Sequence, residues 1–311
     1  MTTATPTPNN MSERWEKVGL IPSLKLNDGN EIPMLSYGFG TANFAGKDDD
    51  VSRRAIMAIQ NGYYHLDSAE AYFNETGVGT GIKASGVPRK KLFVVSKVVG
   101  TKGQDVQVAL ESSLGKLGLD YLDMYLVHIP YAAGSPEELQ RIWTEMEAIK
   151  ASGKARSIGV SNFEQPDIEV ILQTAKIIPA INQIEYNPYF QHGNLIKFLR
   201  EKNIAVAAFS PLAAVTTARP GPLDETYTEL AKKYEVTESD IALRWCIDQD
   251  IVAVTTSHSE QRLQGYLRNL PKFKLTGEEI ELISEIGKKK HHKGITESYM
   301  RTHYASQTSS P

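Results

Sequence analysis

One cysteine, Cys246, occurs in 311 residues. A disulfide within the chain is therefore excluded, and a reducing compartment, the cytoplasm, is expected. Cys246 lies in the apolar helical stretch from Ile241 to Ile247, where a buried, inert thiol is a better reading than a nucleophile. No apolar run approaches the ~18–20 residues needed to span a bilayer. An excess of one charge is missing too. The 34 Lys and Arg against 37 Asp and Glu leave a formal net charge of -3, which gives no electrostatic case for nucleic acid or an anionic membrane. The short basic run Lys288-Lys289-Lys290 reads as a solvated helix end, where cations suit the helix dipole. His291 and His292 have no carboxylate at ligand spacing, so no metal centre is expected. Met1 to Asn10 is rich in Thr, Pro and Asn without an apolar core. It is no secretory signal, and residues 1–20 are expected to form a flexible lead-in.

A glycine fingerprint Gly-x-Gly-x-x-Gly directly after the first strand is also absent. Gly38-Phe39-Gly40 lacks the third glycine, and Gly77-Val78-Gly79-Thr80-Gly81 follows a loop and an acidic helix start. The second pattern is read as close packing and not as a phosphate cradle. This counts against a doubly wound sheet, the runner-up architecture.

What is present is 41% hydrophobic residues, ample for a core. They form eight short apolar runs: Met34 to Gly40, Tyr63 to Leu66, Leu92 to Lys97, Met124 to His128, Ser157 to Ser161, Ile181 to Ile184, Ala205 to Phe209 and Ile251 to Thr255. Continuous rather than alternating apolarity suits strands buried on both faces. Amphipathic stretches separate them. Glu138 to Ile149 carries Leu139, Ile142, Trp143, Met146 and Ile149 on one helical face, with Pro136 ahead of it and Gly153 behind. This alternation predicts an α/β fold, a (β/α)8 TIM barrel, as one domain over residues 21–311. Ser23 to Leu26 and Glu31 to Pro33 flank Asn27-Asp28-Gly29-Asn30, which predicts a β-hairpin capping the barrel bottom. The connections Pro130 to Pro136 and Pro211 to Asp224, and the tail from about 291, are expected to border a site on the top face.

A parallel barrel gathers the C-terminal ends of its strands on that face. Asp67 and Tyr72 follow the run ending at Leu66, Lys97 ends the run from Leu92, and His128 ends the run from Met124. Singly, each has an ordinary reading as a helix cap, packing, a surface lysine or a core histidine. Together, their types suit carbonyl reduction. A free tyrosine, with pKa ~10, is a poor acid near neutrality, and a cation beside it lowers that pKa. Lys97 can supply the cation, Asp67 can hold it, and His128 can hydrogen-bond the substrate oxygen. The hydride must come from a cofactor, since no side chain carries one.

The stretches His65-Leu66-Asp67-Ser68-Ala69-Glu70-Ala71-Tyr72, Val94-Val95-Ser96-Lys97, Asp123-Met124-Tyr125-Leu126-Val127-His128, Gly159-Val160-Ser161-Asn162-Phe163 and Asn182-Gln183-Ile184-Glu185-Tyr186 occur in this order. With them the chain resembles the aldo-keto reductases from about Leu24 to about Leu282. The resemblance implies an NAD(P)H-dependent oxidoreductase that reduces an aldehyde, ketone or α-diketone to an alcohol. It implies Tyr72 as general acid, Lys97 and Asp67 as its tuners, and His128 as the group orienting the carbonyl. It also implies Ser161, Asn162 and Gln183 on the nicotinamide amide, and Phe209 stacked on the ring. Ser210, Pro211 and Leu212 would follow the pyrophosphate, Gly40 and Thr41 would run beneath the nicotinamide end, and Asp67 would touch the ribose. The expected partner is a small carbonyl substrate, and the expected state is a monomer.

Family members commonly end the last strand in Pro-Lys-Ser, with the Lys on the adenosine 2′-phosphate. Here Val254-Thr255-Thr256-Ser257-His258 puts Thr256 at the Lys position, and Gly265-Tyr266 replaces a usual Glu-Asn pair. Thr256, Ser257 and Arg262 remain to hold a phosphate. NADPH is the expected cofactor, with NADH use also open. The Thr-Thr-Ser ending is similar to that of fungal reductases acting on conjugated polyketones and related α-dicarbonyls. Ile129 stands where many members carry an aromatic or polar residue, which implies a more apolar pocket wall. Phe44, Phe73, Tyr131, Tyr189 and Tyr299 are further pocket candidates, with rim packing as an equal reading of each. Two rivals are a non-catalytic, cofactor-binding regulatory subunit on the same fold and a Schiff-base lyase acting through Lys97. The intact tetrad opposes the first, and the Ser161-Asn162 and Gln183 motifs are unexplained by the second.

Overall fold

Eight parallel strands close into a barrel: β3 (Leu35–Gly38), β4 (His65–Asp67), β5 (Phe93–Val98), β6 (Leu122–Val127), β7 (Ala155–Ser161), β8 (Ile181–Glu185), β9 (Ala205–Phe209) and β10 (Ile251–Thr255), with β10 pairing β3. The computed structural model describes residues 21–40 and 47–294. The lead-in over 1–20, Thr41, Phe44, Tyr299, Tyr304 and the tail beyond 294 lie outside the described residues. The runs are continuously apolar because both strand faces are covered. Phe93, Val95, Met124, Leu126, Ile181, Ala207, Val252 and Val254 fill the barrel interior, while Val94, Val98, Tyr125 and Val127 join the larger core beneath the helices. The doubly wound alternative is excluded by closure.

The hairpin is present and antiparallel, β1 (Ser23–Lys25) pairing β2 (Glu31–Pro33) with Leu24 opposite Ile32. Its turn side chains tie it to the N-terminal ends of the strands. Asn27 Nδ2 donates to the carbonyls of Pro179 (2.9 Å) and Asn203 (3.0 Å), and Asn30 Nδ2 donates to Ser157 Oγ (3.0 Å). Leu26 and Ile32 plug the barrel floor. Two strands match the sequence reading at both ends, and the others shift by one or two residues. That shift matters at Asp67, which ends β4 rather than following it, and at Lys97, which β5 extends past by one residue, Val98.

The amphipathic stretch extends to a helix over Pro136–Ser152, capped by Ser135 Oγ accepting from Glu138 N–H (3.2 Å) and ended by Gly153 at φ 79°. The Gly77–Gly81 pattern is close packing. A Cβ on Gly79 would lie 2.5 Å from the Leu117 carbonyl oxygen, and one on Gly81 would lie 2.4 Å from Ala55 Cβ. Cys246 is buried, and burial pushes its thiol pKa well up. The basic run follows the helix Gly277–Gly287 as expected, but Lys290 is not simply solvated: its Nζ donates to the carbonyl of Pro220 (2.9 Å). Among the described residues no helix is long and apolar enough to cross a membrane, and no His, Cys, Asp or Glu cluster is placed to hold a metal.

Candidate active site

The parallel register brings the tetrad together. Asp67 ends β4 opposite Val95 of β5, and Lys97 lies two residues further along β5, pointing to the same barrel face. His128 follows β6 directly, its backbone N–H donating to the Val98 carbonyl at 2.8 Å. Tyr72 ends a short 3₁₀ turn, Glu70–Tyr72, that β4 feeds. An ammonium has three protons to place. Lys97 Nζ lies 2.6 Å from Asp67 Oδ1, 2.8 Å from the Ser68 carbonyl and 3.5 Å from the Tyr72 hydroxyl. The Tyr72 and His128 rings meet edge to face, with centroids 5.5 Å apart.

Lys97 is fully buried and Asp67 nearly so, while Tyr72 is partly exposed. Burial pulls the Lys97 ammonium below its ordinary pKa, and the Asp67 carboxylate opposes that shift. The expectation that Lys97 lowers the Tyr72 pKa is corrected here. Burial first, and then the Asp67 charge, hold the Tyr72 phenol well above its ordinary value. Burial is the larger cause, and the close partner of Lys97 is Asp67, with the phenol the farthest of its three contacts. Tyr72 therefore carries its proton at neutral pH, with the ammonium beside it ready to stabilise the phenolate once that proton leaves.

Beside the tetrad, β7 and β8 present amides. Ser161 lies opposite Gln183. Gln183 Nε2 donates to Asp67 Oδ2 (2.7 Å), and no hydrogen bond reaches its amide oxygen among the described residues. Ser161 Oγ donates to the Gln183 carbonyl (2.8 Å), and Asn162 Nδ2 donates to the His128 carbonyl and to Ser161 Oγ (both 3.0 Å). Asn162 and, after β9, Ser210 adopt left-handed conformations (φ 61° and 54°), which turn the chain sharply at the top face. Phe209 is half-buried at the end of β9, opposite both Glu185 and Val254. Gly40 lies against the Tyr72 ring: a Cβ there would sit 2.8 Å from Tyr72 Cζ.

A second polar cluster follows β10. Arg262 Nε donates to Ser257 Oγ (3.1 Å), Ser257 Oγ also accepts from the Ser259 N–H (3.1 Å), and Ser259 caps the helix Glu260–Asn269. The Thr256 hydroxyl is buried beside the Tyr37 ring hydroxyl, which it helps hold. Arg262 is exposed and pairs with no carboxylate among the described residues.

Of the pocket candidates, Phe73 is 51% exposed beside Tyr72, at φ 50°. Ile129 is buried against Ala71 and Val99, with Tyr131 packed on that cluster. Tyr189 belongs to the main core, its hydroxyl accepting from the Leu223 N–H (3.2 Å). The first tail residues are held at the top: the Gly294 N–H donates to Glu185 Oε1 at 2.7 Å. Sequence reasoning missed Asn74, whose amide bridges the Phe39 carbonyl (3.1 Å) and Ser68 Oγ (3.3 Å) beneath the tetrad. It missed Glu70 as well. Both stand inside or beside the quoted Tyr72 motif, and their polarity in a buried turn was the available signal.

Comparison with known proteins gives one family. The pattern of the aldo/keto reductase family matches residues 37–288. The chain is 36% identical over 274 residues to the NAD/NADP-dependent indole-3-acetaldehyde reductase of Schizosaccharomyces pombe, covering 85% of this chain and 95% of that one. It is 35% identical to the NADPH-dependent alpha-keto amide reductase of Saccharomyces cerevisiae, over 84% and 89% of the two chains. Among solved structures, an aldo-keto reductase of Bombyx mori in complex with NADP superposes with TM-score 0.79 and 37% identity, over 89% of this chain and 95% of that one.

Proposed function

Because this chain belongs to the aldo/keto reductase family, we propose that its reduction of a carbonyl to an alcohol is carried by Tyr72 as proton donor, tuned by Lys97 and Asp67 and oriented by His128. The reaction class is an NADPH-dependent oxidoreduction. The single observation that carries the residue assignment is the Asp67–Lys97–Tyr72 chain, with contacts of 2.6 and 3.5 Å, at the C-terminal end of the barrel.

The residues present fit the cofactor. Asn162 and Gln183 offer amide oxygens to a carboxamide N–H, and Gly40 leaves the Tyr72 ring accessible from one side. Ser257, Arg262 and the Thr256 hydroxyl suit a 2′-phosphate. Phe209 offers a ring face, with Ser210 and Leu212 along the strand-to-loop path. When bound there, NADPH would supply the hydride needed at the carbonyl carbon. The Tyr72 hydroxyl gives its proton to the carbonyl oxygen as the C=O π bond is lost. Lys97 stabilises the phenolate left behind, and His128 holds the oxygen in line by a hydrogen bond. The Asp67 carboxylate keeps the ammonium charged and aimed.

The substrate we propose is an aldehyde or a ketone activated by a neighbouring carbonyl. Support comes from the aldehyde and the alpha-keto amide named for the two fungal relatives and from the aromatic Phe73 beside Tyr72. We also read the protein as a cytoplasmic monomer. Its single, buried, unpaired thiol suits a reducing compartment, and light scattering of the purified chain tests the oligomeric state. The deciding experiment is Tyr72→Phe. Turnover of reduced nicotinamide should fall by ~10²–10⁴-fold while NADPH still binds by fluorescence. A near-normal kcat would remove Tyr72 from the proton-donor role.

A further inference from the structure

The 3₁₀ turn that carries Tyr72 is covalently continuous with β4, whereas Lys97 is on β5. The 3.5 Å between their polar atoms therefore depends on how the turn is fastened to the end of β5. Lys97 bonds the Ser68 carbonyl and Ala71 packs on Val99, but the side chain that bonds the backbone just past Lys97 is Glu70. Glu70, two residues before Tyr72, accepts from the backbone N–H of Val99, two residues after Lys97, at 3.0 Å. Its carboxylate also receives Gln104 Nε2 on both oxygens at 3.1 Å. Gln104 in turn uses its amide oxygen to accept the N–H groups of Gly100 (2.9 Å) and Thr101 (3.1 Å). We infer that Glu70 and Gln104 form a positioning clamp that sets the Tyr72–Lys97 separation, so that Glu70 is a positioning residue for proton transfer although it touches no reacting atom.

The polarity of the clamp is fixed at both ends. The Val99 N–H requires an acceptor from residue 70. The Gly100 and Thr101 N–H groups require acceptors from residue 104, so Gln104 cannot turn its amide over without setting donor against donor. The loop is held from its far side as well, by Arg141 donating to the Gln104 carbonyl (3.0 Å) and Glu138 accepting from the Gly103 N–H (2.6 Å). In Glu70→Gln, one end of the new amide can keep the Val99 bond, but its NH₂ then faces the NH₂ of Gln104. In Gln104→Glu, two carboxylates face each other. In the doubly exchanged protein, Glu70→Gln with Gln104→Glu, the donor and acceptor order is reversed between the two residues and every backbone N–H keeps its acceptor.

The inference rests on the proposed acid role of Tyr72, and the test separates the two. Full-length wild type, the two single variants, the double variant and Tyr72→Phe are compared for kcat, KM, NADPH dissociation constant and melting temperature. Misplacement of reacting groups by about 1 Å can cost on the order of 10²-fold. A partial displacement should lower kcat by roughly 10-fold in Glu70→Gln and by more in Gln104→Glu, with NADPH affinity unchanged. The double variant should return to within about 3-fold of wild type, a residual set by imperfect repacking. Full kcat in Glu70→Gln would overturn the clamp. So would a double variant as slow as the slower single one, or kcat losses that merely track melting temperature. Retained turnover in Tyr72→Phe would instead defeat the acid assignment and leave the clamp a loop fastener only.

Discussion

Replacing Lys97 by Met should separate stability from catalysis at the centre of this site. The side chain is fully buried, and its partner Asp67 is almost so. Among the described residues, Lys97→Met leaves the carboxylate with Gln183 as its remaining side-chain donor, at 2.7 Å. Stranding one member of a buried ion pair costs ~3–5 kcal/mol. The unfolding entropy, ~2.1 cal/mol/K per residue over 311 residues, converts this to a drop of about 5–8 °C in melting temperature. Turnover should be lost at the same time, since no ammonium is left to stabilise the phenolate. Adding Asp67→Asn to Lys97→Met removes the stranded charge and keeps an acceptor for Gln183. Most of the lost stability should return, because neutral replacements of buried pairs are commonly tolerated, while turnover should stay absent. Scanning calorimetry and a spectrophotometric nicotinamide assay read the two quantities. A Lys97→Met melting temperature within about 1 °C of wild type would refute the buried-charge reasoning, and turnover in the double variant would refute the role given to Lys97.

Two further outcomes follow from the geometry. Arg262→Ala should weaken NADPH by roughly 10–150-fold, the worth of a hydrogen bond to a charged group, and NADH far less; equal losses, measured by fluorescence titration, would show that Arg262 does not read the 2′-phosphate. His65 predicts an acid limb in stability. Its Nδ1 is 2.8 Å from the Pro33 carbonyl, so Nδ1 carries the hydrogen, and Nε2 is buried without a partner. Burial lowers the His65 pKa to about 4. A depressed histidine contributes stability that is present above its unfolded value near 6.5 and is lost as pH falls toward the folded value. The melting temperature should therefore decline between pH ~6.5 and ~4, and less steeply in His65→Asn, whose amide can keep the Pro33 bond. Identical slopes in the two proteins would remove His65 as a cause.

Much of this was legible along the chain. The second hairpin strand, β9 and β10 appear in the sequence at their structural bounds, and the first hairpin strand ends one residue earlier than read, because apolar β-branched runs and Asn-Asp-Gly turn chemistry are local signals. The four tetrad residues were identifiable from their place at the ends of successive runs. Less legible were groups whose importance comes from across the fold. Ser68 enters through its carbonyl, which no residue type reveals. Glu70 and Gln104 are 34 positions apart and look like surface polar residues. Lys290 reads as one of three basic residues, yet it is bound to the carbonyls of a loop 70 positions away.

By itself, the order of apolar runs and turns determined the architecture of this protein. Parallel strands buried on both faces demand continuous apolarity and a helix after each one, and few other closed arrangements satisfy that pattern. The same order determined which residue types would reach the top face. Only the tertiary structure decided their electrostatics. Burial and then the Asp67 charge raise the phenol where sequence reasoning expected it lowered, and Lys97 spends its shortest contact on Asp67 and its longest on Tyr72. The physical reason is that burial acts on every charge in the site at once, whereas attraction depends on separations set by the registers of neighbouring strands and by the turn between them.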